Sequence, residues 1–182
     1  SYVPKKVLTN NDLARFVETS DEWISTRTGI RERRIVVDDT PSGMAAKAAK
    51  AALKAAGVSP KDIDLIVVGT VTPDMTFPST ACFVQGHLGV RAGAAAFDVS
   101  AACSGFLYAL DVADKYVKSG AANKALVIGV DQFSRLIDWK DRATCVLFGD
   151  GAGAVVLSAE KGQRGVLSCH IHSDGRHWEM LY

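Results

Sequence analysis

Apolar residues follow two spacings along this chain. Nearly unbroken apolar runs, Ile63 to Val68 and "KALVIGV" (124–130), predict strands buried on both faces. A third strand over 95–99 leads directly into a helical pattern over 103–118, with Phe106, Leu107, Leu110, Ala113 and Val117 on its apolar side. An Ala-rich helix, capped by Thr40 or Ser42, runs to Ala56 and stops at Gly57, and another helix is expected around 79–88 after a Pro-rich loop. The opening "SYVPKKVLTN" reads as the end of a strand. A short helix capped by Asn10 or Asn11 follows, with Leu13, Phe16 and Val17 on one face. "TSDEWISTRTG" reads as a helix capped by Ser20, with Asp21 and Glu22 at its positive end and Gly29 as its stop. "IRERRIVV" (30–37) predicts a strand exposed on one side, and "GAVVLSAE" and "GVLSCHIH" (165–172) predict two more strands joined by "KGQRG". This order gives an α/β fold with a mixed, mostly parallel central sheet flanked by helices, in one unit over 1–182.

Composition narrows the function classes. The chain has 182 residues, with 21 basic and 20 acidic side chains well mixed and a net charge of +1. Nucleic acids and membrane surfaces demand a one-signed field, so neither is expected as a partner. No apolar run approaches the ~20 residues of a membrane span, and no signal segment opens the chain. Cys82, Cys103, Cys145 and Cys169 are far apart, which points to a reducing compartment and a cytoplasmic protein.

Three stretches carry candidate chemistry. In "FDVSAACSGFLYAL" (97–110), Cys103 lies where a strand meets a helix, flanked by Ala, Ser and Gly. One reading is packing, since a free thiol behaves as a small hydrophobe. The other is a nucleophile at a helix N-terminus, where amides and the helix dipole favour a thiolate and the Cys103 N–H can serve an oxyanion. "FGDGAGA" (148–154) imitates a dinucleotide fingerprint, but a strand pattern follows it where a helix is required, so a tight glycine turn with unusual φ angles is expected. His170 and His172 would share one strand face, which makes half a metal site, and no metal is expected. Trp23 and Arg27, four apart on a helix, and Arg142 ahead of the glycines could flank an aromatic base, or form only surface cation–π pairs.

Taken together, "TSDEWISTRTGIRERR", "DVSAACSGFLYALDVADKYVKSG" and "DRATCVLFGDGAGAVVL" resemble the β-ketoacyl-ACP synthase III family of the thiolase-like superfamily, in order and over essentially the whole chain. The resemblance implies a thiolase-like fold and an acyltransferase of fatty-acid synthesis initiation. Cys103 would accept an acetyl-type group from acyl-CoA as a thioester, and the enolate from decarboxylated malonyl-ACP would attack it to give a 3-oxoacyl-ACP. Trp23 and Arg142 match positions that sandwich the CoA adenine, and Thr19 and Arg27 match positions near the nucleotide. Leu147 and Phe148 match acyl-tunnel positions, and Phe77 matches a residue that a dimer mate contributes. The implied partners are acyl carrier protein, acyl-CoA as substrate and a second copy in a homodimer, with no metal or other cofactor.

In the family a His and an Asn complete the site from the signatures His-Gln-Ala-Asn and Gly-Asn-Thr, which do not occur here. After Cys103 the sole asparagine is Asn123, at the far end of the nucleophile's own helix, about 30 Å away at ~1.5 Å per residue. The chain is therefore expected to be the N-terminal half of a condensing enzyme. Alternatives are a non-catalytic half that binds acyl-CoA or a partner chain, and a related condensing enzyme with another acceptor.

Overall fold

A computed structural model describes residues 1–162 and 165–180. Strands β1 (Lys6–Thr9) and β2 (Glu32–Ile35) form an antiparallel pair, with helices α1 (Asn10–Leu13) and α2 (Asp21–Thr28) between them in sequence. Thr9 caps α1 in a reciprocal box with Asp12, so the cap falls one residue before the predicted asparagines. Ser20 accepts the Trp23 N–H at the start of α2, and Gly29 ends it at φ 74°, as predicted.

The main sheet has the order β4-β3-β5-β6, built from β3 (Leu65–Gly69), β4 (Ala95–Val99), β5 (Lys124–Gln132) and β6 (Asp150–Ser158). β3 runs parallel to β4 and β5, and β6 returns antiparallel to β5, so the sheet is mixed. β3 is buried along its whole length, which is why its sequence lacks alternation. Its even-numbered side, with Ile66, Val68, Leu126 and Ile128, packs against α3 (Pro41–Ala56) and α4 (Thr80–Leu88). The odd-numbered side, with Leu65, Val67, Ala125 and Val127, packs against α5 (Gly105–Lys118). The buried line of α5 is Gly105, Ala109 and Ala113; Leu107, assigned to the apolar side from sequence, points to solvent.

Two further expectations are corrected. No strand forms over 165–172. Tyr108 Oη donates to the His172 carbonyl and Lys118 Nζ to the Val166 carbonyl, so the segment lies along α5 and its carbonyls are taken by side chains instead of a ladder. Of the predicted "KGQRG" turn, residues 163–164 lie outside the described residues. The glycines of "FGDGAGA" form no turn with unusual φ: β6 begins at Asp150, and neither Gly149, Gly151 nor Gly153 has a positive φ. At Gly149 smallness serves close approach, since a Cβ there would lie 3.1 Å from both Arg33 Cβ and the Arg34 carbonyl oxygen, whereas one on Gly153 would meet nothing within 4 Å.

Candidate active site

The row Val99–Gly69–Gly129–Gly153 crosses the sheet in register at the C-terminal ends of the parallel strands. Two of its glycines let α5 settle directly on the sheet. A Cβ on Gly69 would lie 2.5 Å from the Gly105 carbonyl carbon, and one on Gly129 would lie 3.2 Å from Phe106 Cβ. Ahead of α5 the chain makes a 3₁₀ turn over Ala102–Ser104, entered through Ala102 at φ 45°, a left-handed conformation that costs a non-glycine residue free energy. Neither Ala101 nor Ser104 caps with its side chain. The amide end of α5 is thus left without a side-chain partner beside Cys103, which is exposed.

Cys103 opens into a cavity of about 340 Å³, lined also by Gly69, Phe106, Gly129, Asp131 and Phe133. Phe133 stacks on Phe148 with centroids 4.8 Å apart and planes 18° from parallel. Phe148 therefore supports the cavity wall through Phe133, whereas Leu147 is on the surface, outside the lining. Sequence reading missed Phe133 and Asp131. The available signal was their place at the C-terminal end of a buried strand, Asp131 in its last residues and Phe133 just past it, where parallel sheets expose their loops. The Asp131 carboxylate accepts from the Val71 N–H at 2.9 Å, Thr72 Oγ1 at 3.0 Å and Thr70 Oγ1 at 3.2 Å, tying the loop after β3 to the end of β5.

A second cluster forms around Trp23. The guanidinium carbons of Arg27 and Arg142 lie 4.6 and 4.8 Å from the Trp23 ring centroid. Arg142 starts α6 (Arg142–Cys145), capped by Asp141, and its Nη1 donates to the Glu18 carbonyl at 3.2 Å. The Thr144 hydroxyl and the Ala143 N–H hold the Asp141 carboxyl below its ordinary range. Next to Glu18, the Thr19 hydroxyl oxygen is buried and has no hydrogen-bond partner among the described residues. Underneath lie Leu13, Ile24, Cys145 and Val146. Burial, and then the Asp141 charge, push the Cys145 thiol up, so this cysteine is packing.

Phe77 is 80% exposed and does not reach the Cys103 cavity of its own chain. Asn123 sits at the other end of α5, its N–H donating to Asp64. His170 and His172 occupy irregular chain, and among the described residues no three His, Cys, Asp or Glu side chains converge as metal ligands. No helix among the described residues is long and apolar enough to cross a membrane.

Comparison with known proteins gives a consistent result. Residues 97–175 match the family model of 3-oxoacyl-[acyl-carrier-protein (ACP)] synthase III. The chain is 60% identical, over its whole length, to the β-ketoacyl-[acyl-carrier-protein] synthase III of Rhodospirillum centenum, covering 58% of that protein. It is also 60% identical to the Xanthomonas campestris pv. campestris protein of the same name, covering 56% of it. Among solved structures, the Thermus thermophilus β-ketoacyl-ACP synthase III superposes at TM-score 0.94 and 43% identity, over all of this chain and 56% of that one. The Aquifex aeolicus 3-oxoacyl-ACP synthase III gives TM-score 0.86 at 58% identity, over 88% of this chain and 52% of that one. The chain spans a little over half the length of the curated relatives it matches. On this agreement of sequence and fold, the chain belongs to the β-ketoacyl-ACP synthase III family and corresponds to its N-terminal half.

Proposed function

We propose that the complete protein condenses an acyl-CoA with malonyl-ACP through a thioester on Cys103. The observation that carries this reading is the exposed Cys103 sulfur at the uncapped amide end of α5, open to a cavity with an aromatic wall. In the first step the Cys103 thiolate attacks the acyl-CoA carbonyl, amides at the turn support the oxyanion, and CoA leaves as a thiolate that takes up a proton. In the second step malonyl-ACP loses CO₂, the resulting enolate carbon attacks the acyl carbonyl, and the Cys103 thiolate is expelled. The acyl tail would lie against Phe106 and Phe133, with Phe148 as backing. Residues outside this chain would support the enolate oxygen.

Trp23, Arg27 and Arg142 would hold the nucleotide end of acyl-CoA, with the Thr19 hydroxyl as a further polar contact. Intercalating an adenine beside Trp23 adds one stacking distance, about 3.4 Å. The exposed Arg142 must therefore swing outward from its present 4.8 Å position. A homodimer is supported by β4, an apolar edge strand only partly covered, and by the exposed Met75 and Phe77. The four cysteines are all unpaired, which supports a reducing, cytoplasmic setting.

The test is acylation of the complete protein with labelled acetyl-CoA. Label is expected on Cys103 and is expected to be lost in Cys103→Ser. Label on Cys145 would overturn the assignment.

A further inference from the structure

Arg33 is the most buried charged side chain of the N-terminal segment, 6% exposed, and among the described residues no carboxylate pairs with it. Its acceptors are all neutral. Nη1 donates to the Leu8 carbonyl at 3.2 Å, and Nη2 donates to Asn10 Oδ1 at 2.8 Å and to the Val146 carbonyl at 3.1 Å. Its Nε finds no partner among the described residues. A buried cation with neutral acceptors is costly to keep, and an apolar residue of similar volume would avoid that cost. The function of the arrangement is visible in where the bonds lead.

Asn10, 1% exposed, passes the connection on: its Nδ2 donates to Asp21 Oδ1 at 2.8 Å and to the Ile30 carbonyl at 2.8 Å. Asp21 opens α2, the helix that carries Trp23 and Arg27. On the other side, Val146 closes α6, the turn that begins with Arg142. One guanidinium thus links the two elements that face each other across the Trp23 ring. The Arg33–Val146 bond itself spans 113 positions of sequence. The two elements also share an apolar cluster that includes Ile24, Cys145 and Val146, and an exposed bond from Arg142 to the Glu18 carbonyl, but the cluster is non-directional, and the buried directional bonds are those of Arg33 and Asn10.

We infer that Arg33 is a positioning residue for the nucleotide clamp, fixing the spacing of α2 against α6 so that Trp23 and Arg142 meet the adenosine end of acyl-CoA. This rests on the CoA reading of that cluster given above. Only a guanidinium fork reaches three acceptors in one plane; a lysine keeps the charge and loses the geometry.

The experiment compares Arg33→Lys and Arg33→Met with the parent in the complete protein, using two acyl donors: acetyl-CoA and an acetyl-pantetheine thioester, which lacks the nucleotide. The expected result is a KM for acetyl-CoA raised about tenfold or more, the size of one lost charge-assisted hydrogen bond. Neither kcat nor the activity on acetyl-pantetheine should change. Equal losses on both donors would show a general structural defect and overturn the positioning role, as would an unchanged KM. The parent itself tests the underlying reading: if it uses acetyl-pantetheine as efficiently as acetyl-CoA, the cluster is no nucleotide clamp and the CoA assignment fails. Should Arg33→Met fail to fold, Arg33→Lys and Asn10→Ala, which cuts the link to Asp21 and keeps the charge, carry the same comparison.

Discussion

Gly69 and Gly105 meet backbone to backbone, and the need for smallness is one-sided. A Cβ on Gly69 would be driven to 2.5 Å from the Gly105 carbonyl carbon and 2.8 Å from the Phe106 nitrogen, whereas a Cβ on Gly105 would approach nothing nearer than 3.5 Å. The end of β3 is therefore the seat of α5, and through α5 it sets the position of Cys103. A sheet residue that touches no substrate thus fixes the height of the nucleophile above the sheet.

Gly69→Ala in the complete protein is expected to push α5 off the sheet, cost about 1–3 kcal/mol as overpacking and reduce Cys103 acylation well beyond the loss of stability. Gly105→Ala is expected to leave acylation near the parent level. Gly129→Ala should fall between them, because its 3.2 Å neighbour is a phenylalanine Cβ and not backbone. Thermal unfolding and single-turnover acylation measure both effects. A Gly105→Ala variant as impaired as Gly69→Ala would contradict this one-sided contact.

The clamp gives a second expectation. Replacing Trp23 with Ala removes the surface on which both guanidiniums lie. Base–aromatic stacking is worth about 1–3 kcal/mol, so the KM for acetyl-CoA should rise between roughly fivefold and a hundredfold. Arg142→Lys should lose most of what Arg142→Ala loses, since a stacked guanidinium is not replaced by an ammonium. Steady-state kinetics with varied acetyl-CoA settles both.

Much of this was legible in the sequence, for identifiable reasons. Caps such as Ser20 and Thr40, stops such as Gly29 and Gly57, and the unbroken run of β3 are local signals, and they act locally in the fold. The expected strand at 165–172 failed because strand alternation says nothing about whether a neighbour is available, and this segment lies along α5. The glycines of "FGDGAGA" were misread because flexibility and smallness look alike in sequence; at Gly149 the need is room for Arg33 and Arg34. The Arg33 network was invisible because it depends on which distant residues meet, and Phe133 offered only its place just past a buried strand. Arg33 stood in "RERR" as one charge among several, and only the fold separates it from its exposed neighbours.

Cysteine reactivity separates structural from functional thiols. Cys145 is fully buried and its thiol is pushed up by burial, whereas Cys103 is exposed. Brief treatment of the folded protein with iodoacetamide is expected to alkylate Cys103 and spare Cys145, with loss of acylation tracking the Cys103 adduct by mass spectrometry. Prior incubation with acetyl-CoA should protect Cys103. Activity lost with Cys103 unmodified would argue that another group carries the acyl chain.

Asp64 offers a pH test at the opposite end of the sheet. Its carboxylate pairs with Arg91 at 2.6 Å and accepts the Asn123 and Lys124 N–H groups at 2.8 and 3.1 Å, fastening the start of β5 to β3. The Arg91 hydrogen bond, followed by these amides, holds its carboxyl below the ordinary carboxylate range. The unfolded chain then takes up its proton first as pH falls. The contribution to stability is complete above the unfolded value of about 3.9 and disappears as pH drops through the lower folded value. Asp64→Asn should therefore lower Tm at pH 7, by about 2–4 °C for each 1 kcal/mol lost. The gap to the parent should narrow only below about pH 4 and close at the acid end. A gap that stayed constant to pH 3 would mean that the amide loses packing or hydrogen-bond geometry and that the charge contributes nothing.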